Sequence, residues 1–409
     1  MTALPQPLLD EYLAADNNDH WSSALEVAER AVARCPGSAQ AFAMRARANW
    51  RMGEADACDS DVAHALQLDP RCALAIATQA ARMDAEGQTT QAVARLDEAI
   101  RSLPGDARLH IARGWIHQEN ERANEALLDY HQAIALDPQN MRGHVNAAAL
   151  LGALGRREEA ADLWHSGALA NPDNGQLAYN AGTALYQQKD YERAILHLDR
   201  ARRIIGERND VQMNRAQTLQ MLERHQEAVD EWLQLYRREP HWDWVLSGLI
   251  ESCYRLGDTT NAQRFRWELD KLSGDHEGTV KLGWLLFHDR RSEELIELVE
   301  PLAKDAHARP EFGQMMGMSL RRQEKFPEAL QWMERTVTTH DDYHWARGDL
   351  ANLLSEIYGR HDEALKHIQI AISMSPDSSF YRRIHGEILE RKNGGSAKKG
   401  GWLKRLFGG

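Results

Sequence analysis

A single spacing constrains this chain more than any other property. Prolines 36, 70, 104, 138, 172, 240 and 376 fall on one 34-residue grid, and the skipped points hold Gly206, Gly274, Ala308 and Asp342. A second grid of the same period runs through Ala24, Ala92, Ala126, Ala160, Ala194, Ala228, Ala262 and Ala364, with Cys58 filling its early gap. A third carries Ala31, Ala65, Ala99, Ala133, Gly167, Ala201, Ala303 and Ala371. Three phase-locked grids define an internal repeat, so the 409 residues need not divide into domains by length alone.

The residue types on the grids predict the repeating unit: a helix, a short turn, a second helix, then a break. In 176–188, Leu177, Ala181, Ala184 and Leu185 make a one-sided apolar helix, and in 191–204 Ile195, Leu198 and Ala201 make another. Alanine on the second grid lets two antiparallel helices approach closely, because a larger side chain would hold their axes apart. Proline at the break cannot continue the second helix, lacking an N–H and clashing with the preceding turn. With 43% hydrophobic and 27% charged residues, the chain has enough apolar material to bury a core.

This pattern resembles the tetratricopeptide repeat (TPR), which has alanine at its positions 20 and 27 and proline at 32. With Pro36 at position 32, eleven repeats begin at residues 5, 39, 73, 107, 141, 175, 209, 243, 277, 311 and 345 and cover 5–378. The resemblance implies an all-α fold, a right-handed α-solenoid of about eleven helix-turn-helix repeats. A capping helix is expected over 379–390. The usual glycine at position 8 is kept only at Gly114 and Gly182. In the ninth repeat Ile296 takes the alanine position and Pro301 interrupts the second helix, and in the tenth Ala329 comes one residue early. A one-residue adjustment is therefore expected near 310 or 342.

The resemblance also implies that positions 2, 5, 6, 9, 12 and 13 of each repeat face a concave groove. Asn146, Asn180 and Asn214 occupy position 6 of three consecutive repeats. An asparagine amide both donates and accepts, so such a ladder suits the backbone of an extended peptide whatever its side chains. It is similar to the asparagine ladder in the repeat domain of the O-linked N-acetylglucosamine transferases, without any glycosyltransferase domain. Arg108, Arg142, Tyr179, Tyr186, Gln217 and Tyr254 take other groove positions, and arginines beside the ladder suit a segment with acidic or C-terminal carboxylate groups. The full carboxylate clamp of chaperone-binding relatives is absent. Trp242 and Trp244 at one repeat junction either anchor a partner or cover the junction. Trp164 and Trp232 read as helix-packing core.

No catalytic chemistry is expected. There is no P-loop, GxGxxG, HExxH or GxSxG. Cys35, Cys58, Cys72 and Cys253 form neither a CxxC pair nor a zinc spacing, and they read as reduced, buried small residues. The polar stretch from His340 to His344 reads as a loop break, not a metal site. No metal and no cofactor is expected. The net charge of −12 argues against a nucleic-acid partner. The N-terminus has no signal-peptide pattern and no run of 18 apolar residues occurs, so a cytoplasmic protein is expected.

Beyond Arg391 the composition changes. A Gly/Ser-rich linker over 391–397 leads into 398–409, where Trp402, Leu403, Leu406 and Phe407 fall in one helical arc, away from Lys404 and Arg405. With Lys398 and Lys399, this is the chemistry of an interfacial helix, each cation adding about 1 kcal/mol near anionic lipid. These residues closely resemble the C-terminal membrane-targeting sequence of the bacterial Min-system division ATPase. Four apolar side chains make a weak, reversible anchor. The sequence thus points to a bacterial TPR scaffold that holds a protein or extended peptide in its groove and settles on the cytoplasmic face of the inner membrane. The alternatives are a soluble chaperone or assembly adaptor with a protein-docking tail, and a regulatory subunit of a separately encoded enzyme.

Overall fold

The small residues of the grids are where paired helices touch. In the computed structural model, which describes residues 4–17, 19–305 and 308–394, Ala24, Ala31, Ala65, Ala92, Ala126, Ala133, Ala194, Ala201, Ala228, Ala364 and Ala371 have no exposed surface. Gly167 replaces alanine on its grid because a Cβ there would lie 2.8 Å from Cβ of His144. At Gly182 a Cβ would approach Leu198 to 2.7 Å, so close helix pairing there requires glycine.

Among the described residues all regular structure is helical, in 23 helices, and the fold is an all-α solenoid of helix-turn-helix repeats. The chain divides into two compact units, Met1–Leu222 and Glu223–Gly409. The first pairs α1 (Gln6–Asn17) with α2 (Trp21–Arg34), α3 (Ala39–Met52) with α4 (Ala55–Leu68), and α5 (Ala73–Ala85) with α6 (Thr89–Ser102). It continues with α7 (Ala107–Glu119) and α8 (Ala123–Leu136), α9 (Met141–Ala153) and α10 (Arg157–Ala170), α11 (Gly175–Gln187) and α12 (Tyr191–Ile205), and ends on α13 (Asn209–Met221). The second opens on α14 (His225–Arg238), followed by α15 (Asp243–Arg255), α16 (Thr259–Ser273), α17 (Glu277–His288) and α18 (Ser292–Ala303). It closes with α19 (Pro310–Arg322), α20 (Phe326–Thr339), α21 (His344–Glu356), α22 (His361–Met374) and α23 (Ser379–Lys392). Odd-numbered helices are the first, or A, helix of each repeat and even-numbered ones the second, or B, helix.

A further ruler lies in the turns. Each A–B turn holds one left-handed residue: Asp19, Gly53, Gly87, Glu121, Gly155, Lys189, Glu223, Gly257, Arg290, Glu324 and Gly359. The step is 34 residues except from Gly257 to Arg290, where it is 33, and from Glu324 to Gly359, where it is 35. The one-residue adjustment therefore does not sit near 310 or 342. It is made by α17, which has 12 residues where α15 has 13, and is reversed between α21 and α22. The same slip corrects the reading of the ninth repeat: Leu295, not Ile296, takes the buried small-residue position. Pro301 lies inside α18, which runs on to Ala303, so the proline does not interrupt the helix. At the far end α23 buries Tyr381, Ile384 and Ile388 and is capped by Ser378, whose Oγ accepts from Tyr381 N at 3.4 Å.

Within the first unit the A helices curl far enough for the first to meet the fifth. Tyr12 Oη donates to Met44 O at 3.1 Å, tying α1 to α3. Arg47 Nε of α3 donates to Asp16 Oδ1 at 2.9 Å. Arg142 of α9, 126 residues away in sequence, reaches the same aspartate: its Nη2 lies 2.5 Å from Asp16 O and 3.1 Å from Oδ2. One buried carboxylate thus holds two guanidiniums and closes a ring of A helices through side chains.

Two outcomes follow for urea or thermal melts of the whole chain. Lys189→Gly removes left-handed strain and raises stability by up to about 1 kcal/mol, whereas Gly155→Val lowers it by about 1–2 kcal/mol; equal melts for both would refute this account of the turns. Asp16→Asn leaves Arg47 and Arg142 facing each other with only the exposed Asp19, 4.0 Å from Arg142, as counter-charge, and lowers stability by about 2–4 kcal/mol, discounted for their partial exposure. Combining it with Arg142→Gln recovers part of that loss; a neutral Asp16→Asn would show that the clasp carries no energy.

Candidate functional site

The A helices of the first unit enclose a pocket of about 680 Å³. Its wall comes from α1, α3, α5, α7 and α9, which contribute the residues at repeat positions expected to face a groove: Leu9, Leu13, Arg47, Trp50, Arg51, Leu74, Arg108, Ile111, Trp115, Arg142 and Asn146 among them. Their spacing follows from helix geometry, since residues three and four apart share a face. A cavity of this size, lined by apolar side chains and by charged and amide groups, has the dimensions of a small-ligand site.

Charge within it is unevenly matched. Arg108 is satisfied locally, donating through Nε and Nη2 to Asp106 at 2.9 and 2.5 Å. Arg47 and Arg142 share Asp16. Arg142 has a guanidinium pKa held below its usual range, first by burial and then by repulsion from Arg47, and its buried Nε has no hydrogen-bond acceptor. Arg51 has only the exposed Asp19 at 3.9 Å. The guanidiniums of Arg47, Arg51 and Arg142 surround Trp21, at 5.9, 4.8 and 5.8 Å from its ring centroid, so cation–π contact takes up part of the excess.

A second, open surface follows on α9, α11 and α13. Asn146, Asn180 and Asn214 are each half-buried and succeed one another at the repeat interval. Their amides are partly engaged within the fold. Asn214 Nδ2 donates to Thr183 Oγ1 at 2.9 Å and Tyr179 Oη at 3.3 Å, strapping α13 to α11. Asn180 Oδ1 accepts from Gln176 Nε2 at 3.0 Å, and Asn146 bonds the Tyr130 hydroxyl. Tyr179 has its phenol pKa raised, first by burial and then by Asp210, and lies 5.7 Å from the Arg208 guanidinium. Tyr186 packs against Tyr191 at 5.6 Å, and Gln217 is half-buried on α13.

The remaining sequence-derived positions lie in the second unit. Trp244 stacks 4.8 Å from Trp242 and edge-on to Trp232 at 5.9 Å, with Gly248 against the Trp232 ring, where a Cβ would sit 2.5 Å from it. Trp244 is thus packed on the core tryptophan, and Trp242 on Trp244. Tyr254 is buried, with Arg255 and Arg291 over its ring at 5.7 and 5.5 Å. The His340–His344 break is used structurally: His344 Nδ1 pairs with Tyr381 Oη at 2.6 Å, and Tyr343 Oη donates to Gln314 Oε1 at 2.5 Å. All four cysteines are buried, and burial pushes the Cys58 thiol up to about 12. Among the described residues no helix is long and apolar enough to cross a membrane. Lys398, Lys399, Trp402, Leu403, Lys404, Arg405, Leu406 and Phe407 lie outside the described residues.

Sequence reasoning singled out Arg108, Arg142 and Asn146 from the pocket but missed Arg47, Trp50, Arg51 and Trp115. The signal was present, since these residues occupy positions 9, 12, 13 and 9 of the second and fourth repeats. Asp16 and Trp21 gave no comparable signal, because their partner on α9 is remote in sequence.

Comparison with known proteins bears on the same unit. Residues 78–140 and 145–209 match the tetratricopeptide repeat family. Over 127 residues the chain is 26% identical to the Hsp70-Hsp90 organizing protein of Triticum aestivum, a match that spans 31% of this chain and 22% of that relative's length. Among solved structures it is similar to pilF of Pseudomonas aeruginosa, at 19% identity over 56% of this chain and 97% of that one, with a TM-score of 0.39. It is also similar to a tetratricopeptide repeat protein from Parabacteroides merdae, at 15% identity over 67% and 96% of the two chains, with a TM-score of 0.35. The segments that match the tetratricopeptide repeat family lie between α5 and the start of α13 and carry the ladder's first two asparagines.

Proposed function

We propose that this protein is a non-catalytic scaffold or adaptor that binds a protein partner or extended peptide on its A-helix face. It recruits that partner to the cytoplasmic face of the inner membrane through residues 398–409. The observation that carries the binding half is the polar, half-buried strip of Asn146, Tyr179, Asn180, Thr183, Asn214 and Gln217 on three consecutive A helices. Such a strip offers hydrogen bonds to a peptide backbone at the repeat interval without demanding a side-chain sequence. The similarity to an organizing protein supports an adaptor role. It does not bring that protein's partners to this chain. The membrane half rests on the tail's sequence: six cations and no acidic residue over 391–409, interleaved with Trp402, Leu403, Leu406 and Phe407.

The two halves separate experimentally. In flotation with vesicles containing about one-third anionic lipid, the full chain rises with the lipid, while a chain ending at Arg391 and a Trp402→Glu variant stay behind. Equal flotation of all three sinks the membrane reading. In affinity capture from the native cell, Asn146→Ala with Asn180→Ala abolishes recovery of a groove partner while circular dichroism stays unchanged. Adding Asn214→Ala costs about 1 kcal/mol of stability through its lost bonds to Thr183 and Tyr179. Partner recovery undiminished by the asparagine changes would overturn the ladder.

A further inference from the structure

The five-helix pocket differs in kind from the open strip. Its ring is closed by Asp16 and Arg142, so its walls converge where the strip on α11 and α13 runs on. Its lining mixes polar groups with apolar ones, the latter including Trp50 on α3, Trp115 and Ile111 on α7, and Leu13 on α1. Its three clustered guanidiniums, Arg47, Arg51 and Arg142, face two carboxylates, Asp16 and the exposed Asp19, the latter 3.9 Å from Arg51 and 4.0 Å from Arg142. A buried Arg142 donor without an acceptor is a further sign that the cluster carries more positive charge than it satisfies.

We infer that this pocket binds a compact amphipathic anion, a small molecule with a flat apolar body and one carboxylate, held between Trp50 and Trp115 with its charge toward Arg51 and Arg142. The inference goes beyond the scaffold reading and does not depend on it, because none of the residues that carry it belongs to the asparagine strip. Size, wall chemistry and charge each restrict the guest. A volume of about 680 Å³ admits a small molecule. Indole walls favour an aromatic or similarly flat body. The unequal arginines favour one negative charge over a cation. Of the other carboxylates in the wall, Asp106 is bound to Arg108, and Asp137 accepts from Gln139 N at 3.1 Å and Asn140 Nδ2 at 3.4 Å.

The test uses the full-length chain, 2-naphthoate as probe, and neutral 2-naphthamide as its uncharged counterpart, in isothermal titration calorimetry. The expected result is one saturable site for naphthoate, with the amide at least tenfold weaker. Arg51→Gln, which leaves the Asp16 clasp intact, weakens naphthoate several-fold and leaves the amide unchanged, while Trp115→Ala weakens both. Asn180→Ala and a chain ending at Arg391 bind naphthoate as the parent does, so loss of partner capture or of flotation is separable from loss of this site. Absence of saturable naphthoate binding below about 1 mM overturns the inference. So does equal affinity for acid and amide, or indifference to Trp115→Ala in a variant whose thermal melt matches the parent's.

Discussion

Everything in this chain rests on how closely the two helices of a repeat can approach. Two α-helices pack at 8–10 Å only when the side chains between them allow it, and here that contact is made by alanine or glycine at a fixed interval. Ala24, Ala126, Ala194, Ala228 and Ala364 have no exposed surface, and at Gly182 even a methyl group would collide with Leu198. Close pairing fixes which face of each A helix is left over. That face cannot be buried within its own repeat, so it stacks on its neighbours or faces the inside of the curl. The pocket and the asparagine strip are both made of these leftover faces.

The periodic part of this arrangement is legible because alanine, glycine and proline carry backbone and packing constraints that other residues cannot meet. The left-handed turn positions obey the same period yet were not legible. Only Gly53, Gly87, Gly155, Gly257 and Gly359 mark them, while Asp19, Glu121, Lys189, Glu223, Arg290 and Glu324 accept the strained conformation. For the same reason the one-residue slip was misplaced. Sequence shows the slip first where an alanine moves, at Ala329, but the backbone takes it up earlier, in the shortened α17. A polar turn residue gives no warning of a left-handed φ, whereas a buried alanine gives clear warning of a close contact.

The functional surfaces divide along a similar line. Positions 9, 12 and 13 of the second and fourth repeats identify Arg47, Trp50, Arg51 and Trp115 once the groove rule is applied evenly. Three asparagines in register are a louder pattern than two tryptophans in alternate repeats. The clasp between Asp16 and Arg142 had no sequence signal at all, since nothing local to either residue specifies a partner 126 residues distant. It depends on the cumulative curl of the intervening repeats. A small rotation per repeat, summed over the A helices from α1 to α9, decides whether the first and fifth meet, and no single repeat encodes that sum.

Charge shows why averages mislead in such a protein. The net −12 is the difference between −18 on residues 1–390 and +6 on 391–409. A strongly acidic body would seem a poor host for an anion. Yet exposed charges further apart than about 8 Å are largely screened at physiological ionic strength, whereas those lining an apolar enclosure are not. An anion inside the pocket therefore responds to Arg47, Arg51 and Arg142 around Trp21, while the exposed carboxylates along the B helices act mostly on solvent and on whatever approaches from outside. The same screening lets a cationic segment of six charges act on a lipid surface although the body it belongs to is repelled by that surface. In a repeat protein, where each helix pair contacts only its neighbours, electrostatics is as local as packing, and sites of opposite preference can share one chain.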